Sequence, residues 1–237
     1  MSLFLFVFFL VYGTCNFYVF IKAKAALHPG AGAALFLIVF IVVMVASPFI
    51  VRLAERAGHE TLATIMAYTG YTWLGIVFLF VSVSLVIDAY RLFLSAAGLL
   101  LQKDIPSVSA NHAFFIPLIL AASIAVYGYF EAKQIQTEHI SIRTAKLPED
   151  MEKLRIVQIS DVHLGLIVGE ERLRNILEKA EKAEPDLLVS TGDLVDAEIC
   201  GLRGFARLLE EVSRGTANSA LQAITVLRRS RSISRMC

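Results

Sequence analysis

With 237 residues the chain has room for one or two domains. Its formal net charge of +1 argues against nucleic-acid binding as its main business. Hydrophobic residues at 57% and a mean hydropathy of +0.66 exclude an ordinary soluble enzyme of this size, so part of the chain must sit in lipid.

The charges show which part. Residues 1–131 hold eleven charged side chains, and the other 106 residues hold 32. The change is sharp near Glu131, which divides a transmembrane region (1–131) from a polar region (132–237). Four runs in the first region approach the 20 or so apolar residues that a helix needs to cross a bilayer. Residues 2–21 carry no charge and are dense in Phe, Leu and Val. Without a basic start or a small-residue cleavage site, they read as a retained helix rather than a signal peptide. Residues 33–51 form the second span, with Pro48 near its end. Residues 68–87 form the third, with Tyr68, Tyr71 and Trp73 at one end like an interfacial belt. Residues 113–130 form the fourth. Residues 88–101 are apolar but broken by Asp88 and Arg91, and either continue the third span or lie along the interface. Every charge of this half falls at a span end or in a loop, with no buried acid–base pair. The expected role is a membrane anchor, a lipid or small-molecule pocket between the helices being the alternative.

Four spans put both chain ends on one side. Lys22, Lys24, Arg91 and Lys103 in the first and third loops oppose Arg52, Arg56, Lys133, Arg143 and Lys146 on the other face. That small excess leans toward a cytoplasmic polar region. Cys15, Cys200 and Cys237 suit neither a metal knuckle nor a redox pair. Cys200 reads as a packed residue.

Residues 132–213 read as the start of a layered α/β domain. Ile140 and Ile142 alternate with polar neighbours in residues 137–147, the period of a half-exposed strand. Pro148 ends it, and residues 154–160 form the central strand. A helix opens at Gly169-Glu170-Glu171 and runs to about Ala183, with Leu173, Ile176, Leu177 and Ala180 on one face. Pro185 stops it, a second strand follows, and a helix over residues 201–212 packs on the sheet.

Two stretches in this half carry chemistry: LRIVQISDVHLG (154–165) and DLLVSTGDLVD (186–196). Each is a short apolar run that stops at a small residue and then an aspartate. Residues two apart on an extended segment share a face, so Asp161 and His163 reach one point from the strand end. A βαβ connection makes the two strands parallel neighbours, which brings Asp193 to the same point. Two carboxylates and an imidazole suit Mn, Fe or Zn. The plain alternative is an ordinary strand pair with polar loop ends. His59 and His139 belong to no ligand spacing.

D-x-H after one strand, followed some thirty residues later by G-D-x-V-D after another, resembles the calcineurin-like metallophosphoesterases, and most of all their membrane-attached bacterial subgroup. The blocks cover residues 150–213. The resemblance implies that Asp161 and His163 bind the first of two divalent metal ions and that Asp193 bridges both. Asp196 then supports the loop behind the ligands. It also implies hydrolysis of a phosphomonoester, a phosphodiester or a lipid-linked pyrophosphate by a metal-activated water. The family's G-N-H-[DE] block and later histidines have no counterpart here.

Residues 214–237 change character, with five arginines and no acid. Degenerate codons for 215–225, read two bases later, can spell a strand ending in G-N-H, and those for 226–237 a continuation of the same block. The tail is therefore expected to be aberrant, the product of a frameshift that truncates the domain. Two functions remain in view: a membrane-anchored phosphoesterase acting on a phosphoester substrate at the bilayer, or a catalytically dead membrane protein whose truncated domain serves interaction.

Overall fold

The computed structural model describes residues 2–103, 106–149, 151–194 and 224–225. Asp196, Cys200, the helix expected over 201–212 and nearly all of the tail lie outside these residues. The chain divides into two units, Met1–Gln134 and Ile135–Cys237.

The first unit is four helices: α1 (Ser2–Leu27), α2 (Ala31–Arg56), α3 (Glu60–Leu101) and α4 (Ala110–Lys133). All four are long and apolar enough to cross a membrane. Each is longer than its apolar run, because helical hydrogen bonding continues through the flanking polar turns. Residues 88–101 continue α3 without a break. Ser109 caps α4, its hydroxyl accepting from the His112 backbone N–H. The core between the helices contains Tyr12 and Val19 of α1, Val77 and Phe80 of α3, and Phe114 and Ala121 of α4. Phe80 and Phe114 meet edge to face with ring centroids 5.7 Å apart. Gly70 of α3 lies against Ser47 of α2, where an added Cβ would overlap the serine side chain.

Two expectations for this unit need correction. Trp73 is not part of an interfacial belt: its indole N–H donates to Asn16 Oδ1 of α1 at 2.9 Å, and its ring meets Phe40 of α2 edge on at 5.0 Å. Asn16 is fully buried, and its amide donates in turn to the Tyr12 carbonyl at 2.9 Å. Nor do all charges lie at ends or in loops. Asp88 sits within α3 and accepts hydrogen bonds from Lys22 and Tyr18 of α1, the latter at 2.6 Å. Arg91 lies 3.8 Å from the same carboxylate. The Lys22 side chain is 11% exposed and that of Asp88 35%, so the bundle does hold a partly covered acid–base pair. Pairing across two helices is what makes those charges tolerable there.

The second unit contains β1 (Ile156–Ile159), α5 (Glu170–Lys182), β2 (Leu187–Ser190) and β3 (Ile224–Thr225). The strands pair in parallel in the order β1-β2-β3, with Ile156 opposite Leu187 and Ile159 opposite Ser190. Among the described residues β1 is therefore an edge strand, and β2 rather than β1 is central. The strand expected over 137–147 does not form: Ile140 and Ile142 are 75% and 83% exposed, and no described strand pairs with them. Alternation without a partner to accept its backbone hydrogen bonds does not make a strand.

The helix follows its pattern closely. Glu170 and Glu171 start α5, Lys179 and Lys182 close it, each sign favourable to the helix dipole at its end. Leu173, Leu177 and Ala180 are buried. Leu173 and Leu177 meet Leu164, with Ile159, Val162, Val168, Leu188 and Leu194 packed around them. At the start of the strands, the Arg155 backbone N–H donates to Asp186 Oδ2 at 2.7 Å, while the Asp186 N–H donates to the Arg155 carbonyl at 2.9 Å. This reciprocal pair sets the register that carries both motif loops to the same edge of the sheet.

Candidate metal centre

The site is built where the two strands end. From Ser190 and Ile159 onward the chain segments stay zipped by backbone hydrogen bonds rather than diverging. Thr191 N–H donates to the Ile159 carbonyl at 3.1 Å, and Asp161 N–H to the Gly192 carbonyl at 3.2 Å. His163 N–H donates to the Asp193 carbonyl at 2.9 Å, and Leu164 N–H to the Leu194 carbonyl at 2.9 Å. Gln158 Nε2 adds a side-chain link to Thr191 Oγ1 at 3.1 Å. Leu164, fully buried against α5, anchors the first loop beneath the zipper.

Along this zipper Asp161, His163 and Asp193 come together, each exposed, with one ligand atom from each lying within 4.8 Å of the others. They do not converge by strand alternation. Asp161 and His163 lie beyond the last residue of β1, and their φ angles are +53° and +50°. Asp193 has φ +44°, directly after Gly192 at +141°. Six described non-glycine residues have positive φ, and three of them are these candidate ligands. Non-glycine residues in the left-handed region carry a cost of about 1–3 kcal/mol each and cluster at functional sites. Asp and His are among the side chains that enter this region most readily. Here the left-handed turns aim three side chains to the same side of the paired loops. The Ser160 hydroxyl also donates to Asp161 Oδ2 and orients that carboxylate.

The donor set fits a divalent metal ion. Bonds of about 2.0–2.2 Å to His nitrogen and carboxylate oxygen place any two ligands at most about 4.4 Å apart. Side-chain adjustment of a fraction of an ångström closes the set on one ion. Two carboxylates and an imidazole suit Mn, Fe or Zn rather than a soft, thiolate-seeking metal. A second ion would need donors beyond these three, and among the described residues they form the one such group. Asp196 lies outside the described residues. His139, exposed on the irregular segment before β1, is not in the cluster. The residue types were legible in the motifs. The Gly192 turn, the Leu164 anchor and the Gln158–Thr191 link were not, although a glycine directly before Asp193 is a turn signal in its own right.

Residues 154–226 match the family model for calcineurin-like phosphoesterase. A Danio rerio transmembrane protein with a metallophosphoesterase domain is 38% identical over 98 residues, 41% of this chain and 22% of the relative. An uncharacterised metallophosphoesterase from Aquifex aeolicus is 33% identical over 96 residues, 40% of this chain and 36% of its own length. A UDP-2,3-diacylglucosamine pyrophosphatase from Chlamydia trachomatis is 31% identical over 91 residues, 37% of this chain and 28% of that protein. The matched stretch thus spans about a fifth to a third of these relatives. No solved structure matches the chain.

Proposed function

We propose, from the premise that this chain carries part of a calcineurin-like metallophosphoesterase domain, that it belongs to a membrane-anchored, metal-dependent phosphoesterase. The observation that carries this reading is the convergence of Asp161, His163 and Asp193 on the loops after two parallel strands. In the proposed site two divalent ions, Mn, Fe or Zn, supply charge neutralisation of the phosphoryl oxygens and activation of the attacking water. Asp161 and His163 would hold the first ion, and Asp193, with two carboxylate oxygens, would supply a ligand to both. The backbone zipper holds these side chains in place before substrate arrives, so little reorganisation is left for the reaction itself.

The substrate we propose is a phosphomonoester, phosphodiester or pyrophosphate carried by a lipid. Four membrane-capable helices on the same chain hold the domain at a bilayer. The Chlamydia relative is named for a diacylated sugar nucleotide, which points the same way. The cytoplasmic side is our proposal for the domain, resting on the small excess of Arg52, Arg56, Lys133, Arg143 and Lys146 over Lys22, Lys24, Arg91 and Lys103.

The test is turnover of bis(p-nitrophenyl) phosphate by the full chain in detergent, with and without Mn(II), alongside direct Mn(II) titration. Metal-dependent turnover that Asp193→Asn abolishes supports the reading. Absence of both Mn(II) binding and turnover would leave the chain a non-catalytic membrane protein with an interaction domain. A vesicle-borne lipid pyrophosphate compared with the soluble diester then tests the substrate class.

A further inference from the structure

The first two helices enclose a cavity that the bundle core does not use. α1 and α2 are joined by only three residues, His28 to Gly30, and run antiparallel. Toward the other end of this hairpin the rings of Phe9 and Phe49 stack with centroids 4.7 Å apart. Between that stack and the connecting loop lies a cavity of about 610 Å³. Every residue lining it is apolar. It owes its room to Gly13, since nothing lies within 4 Å of where a Cβ there would stand.

A charge stands where the apolar lining stops. Equal steps along both helices from Phe9 and Phe49 bring Gly13 level with Val45, and Phe20 level with Ile38, all of which line the cavity. One turn further, on the same face of α1, comes Lys24, level with the small Ala34 of α2. Lys24 is exposed, and among the described residues its ammonium has neither a hydrogen bond nor an ion pair. Lys22, two residues back, lies on the opposite face of α1 and is engaged by Asp88. Lys24 is therefore the cation left to the cavity.

The dimensions select the occupant. Phe9 to Phe20 is about 16 Å at the usual helical rise, and Lys24 lies about 6 Å beyond. Half the hydrocarbon core of a bilayer is about 15 Å deep, and the headgroup region adds about 5–7 Å on each side. The apolar groove thus has the length of one lipid chain, and the cation stands at the distance of its phosphate. A neighbouring helix is too thick. A cylinder about 10 Å across would take about 1,300 Å³ over the same length, twice the space available.

We propose that this groove binds one anionic phospholipid, with an acyl chain between α1 and α2 and the phosphate on Lys24. The chain and the headgroup are held at separate points, so each contribution can be removed alone. This inference is independent of the proposed phosphoesterase activity.

The experiment is native mass spectrometry of the full chain in mild detergent, with dioleoyl phosphatidylglycerol or dioleoyl phosphatidylcholine added in steps. One phosphatidylglycerol per chain is expected, held about fivefold more tightly than phosphatidylcholine, the effect of one lysine on an anionic headgroup. Lys24→Gln should abolish that preference and leave phosphatidylcholine binding unchanged. Lys103→Gln removes a charge outside the groove and should leave both lipids unaffected. Gly13→Leu fills the open space without displacing a neighbour and should weaken both lipids severalfold, with the thermal transition of the helices retained. No bound lipid in the wild type, a preference that survives Lys24→Gln, or binding that survives Gly13→Leu each overturns the proposal. So does a dimer that Gly13→Leu dissociates, which would give the groove to a second copy of the chain.

Discussion

The two units use glycine for opposite reasons, and the contrast extends to how each is held together. In the helical unit Gly70 is needed for space, because Ser47 of the neighbouring helix fills the place of a Cβ. In the α/β unit Gly192 has open space around it and is needed for its backbone angle, φ +141°. The helical unit is built from regular backbone, and its specificity lies in which side chains meet: Gly70 with Ser47, Trp73 with Asn16, Lys22 with Asp88. The α/β unit makes its candidate site from irregular backbone, with three left-handed residues on two zipped loops. A side-chain change should therefore disturb the first unit locally, at one helix contact. A backbone change should disturb the second at its chemistry.

The largest expected effect tests the foundation of the zipper. Leu164 is fully buried between the first loop and α5, and Leu164→Ala should cost about 2–5 kcal/mol of α/β-unit stability. Hydrogen exchange should show faster opening of α5 and of the Asp161 and His163 amides. Unchanged exchange there would mean that the loops are not anchored from below. Next comes Asp193→Asn, which keeps the shape but removes the charge. Loss of an outer supporting partner alone costs metal sites about 10–100-fold, so a direct ligand should cost about 100-fold or more in Mn(II) affinity. Retained affinity would remove Asp193 from the site.

The paired glycine substitutions bear most directly on the contrast. Gly70→Ala should weaken packing of α2 on α3 by about 1–3 kcal/mol through overlap with Ser47, and adding Ser47→Gly should restore most of the loss. Gly192→Ala should cost a similar, strain-derived amount of about 1–3 kcal/mol. No neighbour can rescue it, and it should also weaken Mn(II) binding by displacing Asp193. Thermal unfolding of the singles and of the double variant reads both. Rescue of Gly192→Ala by trimming a nearby side chain, or failure of the Ser47→Gly rescue, would collapse the distinction.

The same contrast explains what the sequence disclosed. Hydropathy marks four spans because lipid imposes one requirement on every residue facing it, and 2–21 against Ser2–Leu27 differs only in the polar turns. It could not reveal that Asp88 pairs with Lys22, because partners 66 residues apart leave no local pattern. In the α/β unit Leu173, Leu177 and Ala180 were legible from helical period, since α5 buries one face. Ile140 and Ile142 misled because two alternating residues are a strand only when a neighbour pairs with them. Asp161, His163 and Asp193 were legible as residue types. Their convergence was assigned to strand alternation, whereas it comes from positive φ angles, for which Asp and His offer only a compositional hint.

The smallest effect separates hydrogen bonding from shape inside the helical unit. Trp73 touches two helices, edge on to Phe40 of α2 and through its indole N–H to the buried Asn16 of α1. Trp73→Phe retains an aromatic ring but leaves the Asn16 carbonyl oxygen without that donor. Interhelical hydrogen bonds in membranes average about 0.6 kcal/mol and reach about 1.7 kcal/mol. The loss should fall in that range, because an unfolded helix in lipid finds other partners for the same groups. Asn16→Leu alone removes both the donor and acceptor groups, and in the Trp73→Phe background it should cost less than in the wild type. A double-mutant cycle in a denaturing-detergent titration reads the coupling directly. If the two losses add with no coupling, side-chain pairing does not set the register of α1 on α3, and ring packing alone does.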